Sequence, residues 1–453
     1  MKKKCKSLLA LMLALVMVGS LVACGEKPVD TPEEPDGPIE VLYWGGFTKT
    51  TGEYMGKIIE DFNASQDKYV IVREYNGGIY DQLAKMMATE KESLPAMCNA
   101  SSETVGSYYH SGLLKPVQDF IDADSTYEDP GLYGNLISTY GKNGELIGYP
   151  IGLSLSGFYY NKAVFAAAGI DAESITSFEA LYDACLKIGE GGYAKYALTC
   201  GKSGIYANYC FAREGYDTVD NNNAQTGLPT KCLYDDNSNG FADVVYDYYY
   251  RWYDLANKGY VYPVTSDVAG ESAPALAAGE LAAFVGLTSS WETVVAACEG
   301  TGAEFGFVPM FSATENGAKA GFCSSGNGMF IVDNGNEEAM KGAWEFIKYF
   351  TSVEVQVGWE QAINYMPLYD EIYNHPDWQA WAKENPGFDA TIKAIRAADD
   401  SASYAFTATN NEFALAGQDC LQAVTTGVDP AVAIAEMCTK INDAFEIYNK
   451  TNS

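Results

Sequence analysis

The chain has 453 residues and a formal net charge of −31 at pH 7, with 47% hydrophobic and 13% aromatic residues. This composition is typical of a globular protein that is long enough for two domains. The acidity argues against a nucleic-acid partner, because a phosphate backbone needs a basic surface, and it disfavours a highly anionic ligand.

The first residues have the order of a secretory signal peptide. Lys2, Lys3, Lys4 and Lys6 precede an unbroken apolar run at residues 8–18. That run is shorter than the roughly 20 residues that span a bilayer. A basic start, a short apolar core and a small-residue end predict a signal peptide at residues 1–23.

The motif Leu21-Val22-Ala23-Cys24 resembles the bacterial lipobox, which implies cleavage before Cys24 and a diacylglycerol on its sulfur. A plain signal peptide with an incidental cysteine is the alternative. Residues 25–38 read GEKPVDTPEEPDGP and contain four prolines but no apolar run. Such a segment cannot build a core, so residues 24–38 are predicted to be a lipid-anchored linker.

From residue 39 onward, strand-like and helix-like segments alternate. Strand character is found at 39–44, 69–72, 305–309 and 328–332, and helical spacing at 54–62, 80–89, 178–188 and 337–350. The alternation predicts parallel sheets and the α/β class. The polar, turn-rich run 217–236 is predicted to be a surface excursion.

The sequence offers little for catalysis or metal binding. Nine cysteines follow Cys24 without any Cys-x-x-Cys pair, which argues against a zinc site or a disulfide framework and indicates small core residues. No P-loop and no Gly-x-Ser-x-Gly motif is present. The run from Asp235 to Gly240, with Asp243, resembles the start of a calcium loop, but Tyr246 stands where the bidentate acid is expected. We therefore expect a plain turn there, and no cofactor or metal.

Five stretches carry motifs in a consistent order. They are residues 93–121, Gly-Glu-Leu-Ile-Gly-Tyr-Pro at 144–150 with Phe-Tyr-Tyr-Asn-Lys at 158–162, residues 276–291, Ala-Trp-Glu-Phe-Ile-Lys-Tyr-Phe at 343–350, and Asn-Tyr-Met-Pro at 364–367. Together they resemble the extracellular solute-binding proteins of ABC importers, in the family that contains the maltose-binding and glycerol-phosphate-binding proteins. The resemblance spans nearly all of residues 39–453.

This resemblance implies an α/β fold of two doubly wound lobes joined by hinge crossovers, as in type II periplasmic binding proteins. By analogy, one lobe is 39–150 plus 320–364, and the other is 151–319 plus 365–453. Ligands of such sheets bind at the carboxyl ends of the strands. Closure of the lobes around a ligand is then a hinge motion.

The function implied is that of an extracytoplasmic, lipid-anchored and monomeric receptor that hands a neutral mono- or oligosaccharide to the membrane subunits of an ABC permease. It needs no catalytic group. A lipid-anchored glycan-processing enzyme would need two placed carboxylates, and with 60 Asp and Glu residues no pair stands out. A receptor of the same fold for a non-sugar solute is the other alternative.

A sugar site combines flat aromatic platforms with a few polar anchors. Loop and strand-end positions that the resemblance also selects give the candidate ligand contacts Trp44, Tyr80, Ser102, Glu103, Ser154, Ser156, Tyr206, Trp291, Ser325, Asn327, Tyr365 and Asn410. Trp291 aligns with a stacking tryptophan of the family and is the strongest predicted platform, and Glu103 falls where the maltose-binding relative has a sugar-binding acid.

One departure from the family is informative. Glycerol-phosphate binders carry an arginine in a C-terminal loop, whereas the matching residues 406–411 here contain none. Arginine binds a phosphate ester with two charge-assisted hydrogen bonds, so its absence favours a neutral saccharide as the ligand.

Overall fold

The computed structural model describes residues 37–78, 81–201, 204–265, 267–309, 311–315, 317, 321–397, 402 and 405–452. The predicted signal peptide, Cys24, most of the linker and Tyr80 lie outside these residues. Residues Ile39–Ser453, called the body below, pack together as a compact unit of their own. Among the described residues, no helix has both the length and the apolar character needed to cross a bilayer.

The strands of the body are β1 (Ile39–Trp44), β2 (Tyr69–Glu74), β3 (Met97–Ser101), β4 (Leu114–Lys115), β5 (Gly141–Lys142), β6 (Glu145–Leu146), β7 (Tyr149–Ser154), β8 (Ser156–Asn161), β9 (Ala283–Leu287), β10 (Phe305–Pro309) and β11 (Ser325–Val332). The helices are α1 (Lys49–Ser65), α2 (Gln82–Met87), α3 (Val105–His110), α4 (Val117–Ala123), α5 (Gly134–Tyr140), α6 (Lys162–Ala167), α7 (Phe178–Gly191), α8 (Ile205–Arg213), α9 (Asp220–Asn223), α10 (Phe241–Asn257), α11 (Val268–Ala277), α12 (Trp291–Cys298), α13 (Glu337–Phe350), α14 (Val353–Ile363), α15 (Asp370–Asn374), α16 (Pro376–Glu384), α17 (Pro386–Arg396), α18 (Asn410–Thr425) and α19 (Pro430–Asn452). Short 3₁₀ turns occur at Lys91–Ser93, Ser102–Thr104, Ala172–Ser174 and Thr288–Ser290.

The larger sheet has the strand order β2-β1-β3-β11-β4, with β7 also paired to β11. β1 runs parallel to β2 and β3, whereas β11 is antiparallel to β3, β4 and β7. All eight residues of β11 are buried, which explains its nearly continuous apolar second half. Helix α13 packs on β1 of this sheet, with the Phe346 ring centroid 6.5 Å from that of Tyr43, and the Asn336 side chain caps its first turn by accepting from the Ala339 N–H.

The smaller sheet has the order β10-β8-β9, and both of its pairings are antiparallel. Helices α7 and α10 pack together beside it, where Phe178 stacks on Trp252 with ring centroids 5.3 Å apart. Ser177 caps the start of α7, and Gly192 ends the helix in the left-handed conformation. The prediction of parallel sheets is therefore only partly right, because strands that return from distant parts of the chain enter both sheets in the opposite direction.

The prediction of a surface excursion at 217–236 is wrong for much of the segment. Val219, Cys232 and Tyr234 are almost fully buried. Asn221 and Asn222 adopt left-handed backbone angles inside α9, and the chain turns back so that Val219 pairs with Cys232. Polar turn residues thus reverse the chain while the apolar residues between them join the core.

The connection between β7 and β8 links the two sheets closely. β7 stays in the larger sheet as far as Ser154, and β8 begins in the smaller sheet at Ser156, so a single residue separates the two strands. A second segment passes nearby, because Met366 forms a bridge with Leu153. These crossings bring the ends of several strands to one place.

Candidate functional site

The ends of three strands meet at one edge of the larger sheet. Ser154 ends β7 and pairs with Ser325 at the start of β11, while Ser101 ends β3 and pairs with Asn327. Ser102 and Glu103 follow β3 directly. We call Ser102, Glu103, Ser154, Ser325 and Asn327 the sheet-edge group; all five were predicted from the sequence, and the structure brings them together.

Glu103 is the chemical centre of the sheet-edge group. Its Oε1 accepts hydrogen bonds from the Ser325 hydroxyl at 3.2 Å and from the Tyr209 hydroxyl at 3.4 Å, and its Oε2 accepts from Ser101. Burial raises the pKa of Glu103, and the hydrogen bonds from Ser325 and Tyr209 oppose this rise. Tyr209 lies on α8, so the carboxyl joins the sheet edge to an element outside the larger sheet.

Glu103 also faces a small cavity. The cavity has a volume of about 20 Å³, which is close to the space needed for one water molecule. Its walls are formed by Glu103, Ile205, Asn208, Thr218, Ala405, Asn410, Phe413 and Ala414. None of these lining residues is cationic, and they offer a carboxyl, two amides, a hydroxyl and apolar surface. The predicted contact Asn410 therefore does lie beside Glu103.

Tyr365 reaches the same edge from the chain that follows α14. Its hydroxyl accepts a hydrogen bond of 2.7 Å from the Asn327 amide, and burial raises the pKa of Tyr365 to about 12. A Cβ atom at Gly152 would stand 1.8 Å from the Tyr365 ring, so only glycine fits there. Close packing fixes the ring against β7 and directs its hydroxyl to Asn327.

Several predicted residues have buried polar atoms without a hydrogen-bond partner among the described residues. These atoms are Trp44 Nε1, Ser156 Oγ and Asn327 Oδ1. An unpaired buried polar atom costs about 1–3 kcal/mol, and such atoms also occur away from this edge, for example at Trp378. Ligand hydroxyls are groups that can satisfy such donors and acceptors.

The remaining polar candidates take positions nearby. The Ser154 hydroxyl lies 3.1 Å from the hydroxyl of Thr288. Tyr206 is buried in the first turn of α8, with its ring 6.1 Å from that of Tyr209. Trp44 is the last residue of β1 and not a loop residue, and the Lys85 ammonium lies 5.4 Å from the centroid of its ring.

Trp291 lies in a separate aromatic group. Its ring centroid is 5.0 Å from that of Phe305 and 5.0 Å from that of Phe388, and Tyr159 packs at 6.2 Å. The indole N–H donates to Asn385 at 2.9 Å, and only 6% of the residue is exposed. We call Tyr159, Trp291, Phe305 and Phe388 the Trp291 cluster. Trp291 is absent from the cavity lining, so its role as a platform stays a prediction.

Sequence reasoning missed Asn208, Tyr209, Thr218, Thr288 and Phe413. Tyr206 and Tyr209 are three residues apart on one helix, and this spacing could have indicated that both face the same side. Thr218 carried no such signal, because it reaches the cavity only through the chain reversal at α9. In the described part of the chain, no cluster of three or more His, Cys, Asp or Glu side chains is arranged to hold a metal ion.

Comparison with known proteins places this geometry in a family. The sequence profile of the bacterial extracellular solute-binding proteins matches residues 57–390. The sn-glycerol-3-phosphate-binding periplasmic protein UgpB of Yersinia pestis bv. Antiqua is 25% identical over 373 residues, which cover 79% of this chain and 80% of that protein.

Solved structures share the fold. The sugar-binding protein MalE from Xanthomonas citri superposes with a TM-score of 0.72 at 14% identity, over 91% of this chain and 98% of that one. UgpB from Mycobacterium tuberculosis, in complex with glycerophosphocholine, gives a TM-score of 0.70 at 17% identity, over 91% and 99% of the two chains. The prediction of a two-lobed α/β fold of the type II periplasmic-binding class is confirmed. Because the family profile extends across most of the body, the chain belongs to the bacterial extracellular solute-binding proteins, which are the extracytoplasmic receptors of ABC importers and not enzymes.

Proposed function

We propose that this receptor is lipid-anchored and captures a neutral mono- or oligosaccharide at the sheet-edge group, between a lobe of residues 39–150 plus 320–364 and a lobe of residues 151–319 plus 365–453. The hydrogen bond from Tyr209 to Glu103 supports a site between these proposed lobes, because it joins a residue of one to a residue of the other. Closure around the ligand would present a surface that a permease can recognise.

The observation that carries the choice of ligand is the chemistry around Glu103. A buried carboxyl can accept hydrogen bonds from sugar hydroxyls, and Asn410 and Thr218 offer further partners on the cavity wall. A phosphate placed there would meet a like charge with no cationic lining residue to compensate. Residues 406–411, which include Asn410, also contain no arginine. These features favour an uncharged ligand over a phosphate ester.

The second candidate ligand is a glycerophosphodiester or a glycerol phosphate. It is favoured by the related UgpB proteins, which are named for sn-glycerol 3-phosphate or were solved with glycerophosphocholine. Those proteins are only 25% and 17% identical to this chain, and such distances allow the same fold to carry different ligand contacts.

A thermal-unfolding panel on the body separates the two candidates. We expect at least one neutral saccharide to raise the unfolding midpoint, because a ligand that binds only the folded state stabilises it by mass action. We expect sn-glycerol 3-phosphate and glycerophosphocholine to leave the midpoint unchanged. Stabilisation by either phosphate compound, with no response to any saccharide, would reverse the assignment. Calorimetric titration of each positive compound would confirm direct binding.

The lipid anchor is a separate part of the proposal and rests on Leu21-Val22-Ala23-Cys24. We expect the full chain to fractionate with membranes as a mature lipoprotein. We expect the Cys24→Ala chain to carry no lipid and to be absent from the membrane fraction. Membrane fractionation with mass measurement of the mature N-terminus checks this. A mature protein that begins at a residue other than Cys24, without an attached lipid, would contradict it.

A further inference from the structure

Two cysteine thiols from distant parts of the chain meet in the core. The sulfur of Cys232 lies 3.6 Å from the sulfur of Cys438, and the two residues are 206 positions apart in sequence. Both residues are at most 2% exposed. No other two cysteines in the described part of the chain form a sulfur–sulfur hydrogen bond, although nine cysteines are described there.

The backbone around these thiols is held by independent contacts. The Cys232 N–H donates to the Asn442 side chain at 2.7 Å, and Asn442 lies one helical turn beyond Cys438 on α19. The Asn449 amide, farther along the same helix, donates to the carbonyl of Pro229 at 2.9 Å. The approach of the two sulfurs therefore follows from how the segment before Tyr234 packs on α19, and not from a single side-chain rotamer.

We propose that Cys232 and Cys438 form a disulfide when the chain folds in the presence of a disulfide oxidant outside the cytoplasm. One thiol, as its thiolate, attacks a small-molecule disulfide, and the mixed disulfide is then attacked by the second thiol. The protein loses two protons and two electrons and gains one S–S bond, and the oxidant is reduced to two thiols. The sulfur separation contracts from 3.6 Å to about 2.05 Å, which is a small adjustment between two side chains already in contact.

Burial determines when this reaction takes place. It raises the pKa of the Cys232 thiol well above its usual range, so the Cys232 thiolate is rare once the body has folded. The bond forms during folding, as the segment before Tyr234 packs on α19 and before burial excludes the oxidant from the sulfurs. After folding, the same burial protects the bond from exchange.

The disulfide would restrain the wall of the proposed ligand site. Leu233, next to Cys232, donates its N–H to the carbonyl of Thr218 at 2.9 Å, and Thr218 lines the cavity beside Glu103. The hydroxyl of Tyr234 donates to Asn208, another lining residue. A link to α19 therefore restrains two lining positions through their hydrogen-bond partners, and it removes the entropy of a long loop from the unfolded chain.

Cys420 is the natural competitor for the bond. Burial, with a smaller contribution from Cys438, raises the pKa of Cys420 to about 12, and the two residues lie on the packed helices α18 and α19. A disulfide between Cys420 and Cys438 would join only these two neighbouring helices. The experiment must therefore identify which cysteines are linked.

The test is refolding of the reduced body in glutathione buffers of graded redox ratio, followed by N-ethylmaleimide trapping in denaturant, so that buried thiols also react, and peptide mapping without reduction. We expect a Cys232–Cys438 peptide pair to appear at a more reducing ratio than any other pair, with the other seven thiols alkylated.

The oxidised protein should unfold at a temperature several degrees above that of the reduced protein. Cys438→Ala should abolish this difference, whereas the matched control Cys185→Ala should retain it. Peptide mapping of the wild-type protein tests the proposal even if a variant fails to fold. The proposal would be overturned if a different disulfide, including Cys420–Cys438, formed at the most reducing ratio. Alkylation of all nine thiols at every ratio would also overturn it.

Discussion

The sheet-edge group and Trp291 were both predicted as ligand contacts, but the sheet-edge group and the Trp291 cluster have opposite physical character. At the sheet edge, Asn327 keeps its buried Oδ1 without a partner, and burial raises the pKa of Glu103. In the Trp291 cluster, the indole N–H is bonded to Asn385 and the ring is packed by two phenylalanines. Unsatisfied polar groups indicate a place where a ligand adds interactions, whereas a saturated aromatic group indicates a core.

The largest expected effect that tests this comparison is the loss of the Trp291 ring. We expect Trp291→Ala to lower the free energy of unfolding by about 3–5 kcal/mol, because it leaves a large cavity among Tyr159, Phe305 and Phe388. We expect the saccharide-induced rise in the unfolding midpoint to persist, since the ring is already covered. Denaturant unfolding with and without ligand measures both quantities.

Tyr250→Ala is the matched control for this substitution. Tyr250 is an aromatic residue of α10 that is 43% exposed, so we expect its loss to change the free energy of unfolding by no more than about 0.5 kcal/mol. If Trp291→Ala abolishes the ligand response while the protein remains folded, Trp291 is a platform after all. The distinction between the two regions would then fail.

Glu103→Gln gives the next largest effect and acts on the other region. The substitution keeps the size of the side chain but replaces a charged acceptor by a neutral amide, and hydrogen bonds to charged groups contribute about 1.5–3 kcal/mol. We therefore expect saccharide affinity, measured by calorimetry at pH 8, to fall by roughly tenfold to a hundredfold. Glu360→Gln removes a second buried carboxyl that does not line the cavity, and it should leave the affinity unchanged. An equal loss of saccharide affinity in the two variants would refute a direct role for Glu103 in ligand binding.

The sequence was sufficient for the sheet-edge group because strand ends can be located from local patterns. Runs of apolar residues end near Ser102 and Ser154, and the carboxyl ends of neighbouring strands share one edge. The antiparallel return of β11 was not predictable from its own residues, yet its glycine-rich start still pointed to Ser325 and Asn327. Local signals and the family resemblance thus agreed on the polar part of the site.

The sequence was insufficient where distant residues decide the environment of a side chain. Nothing near Trp291 reveals that Asn385 accepts its N–H, or that Gly387 allows the chain to approach its ring closely. Likewise, the polar composition of 217–236 concealed the burial of Cys232, which depends on the chain reversal at α9 and on contacts with α19. The prediction for 217–236 failed because composition was interpreted without knowledge of the packing partner, and the surroundings of Trp291 likewise depend on partners that composition does not reveal.

The smallest expected effect is the pH dependence that Glu103 imposes on stability. The pKa of Glu103 is raised from 4.5 in the folded protein, so the folded state retains its proton at pH values where the unfolded chain has released it. Its contribution to stability is therefore greatest at low pH and declines as pH rises from about 4.5 through the raised pKa. We expect Glu103→Gln to become steadily more stable relative to wild type over this range and then to reach a constant difference. Denaturant unfolding of both proteins between pH 4 and pH 8 measures this difference, in which the shared contributions of Glu360 and His110 cancel. A difference that does not change with pH would mean that Glu103 is as well solvated in the folded body as in the unfolded chain, and the contrast with the Trp291 cluster would lose its electrostatic basis.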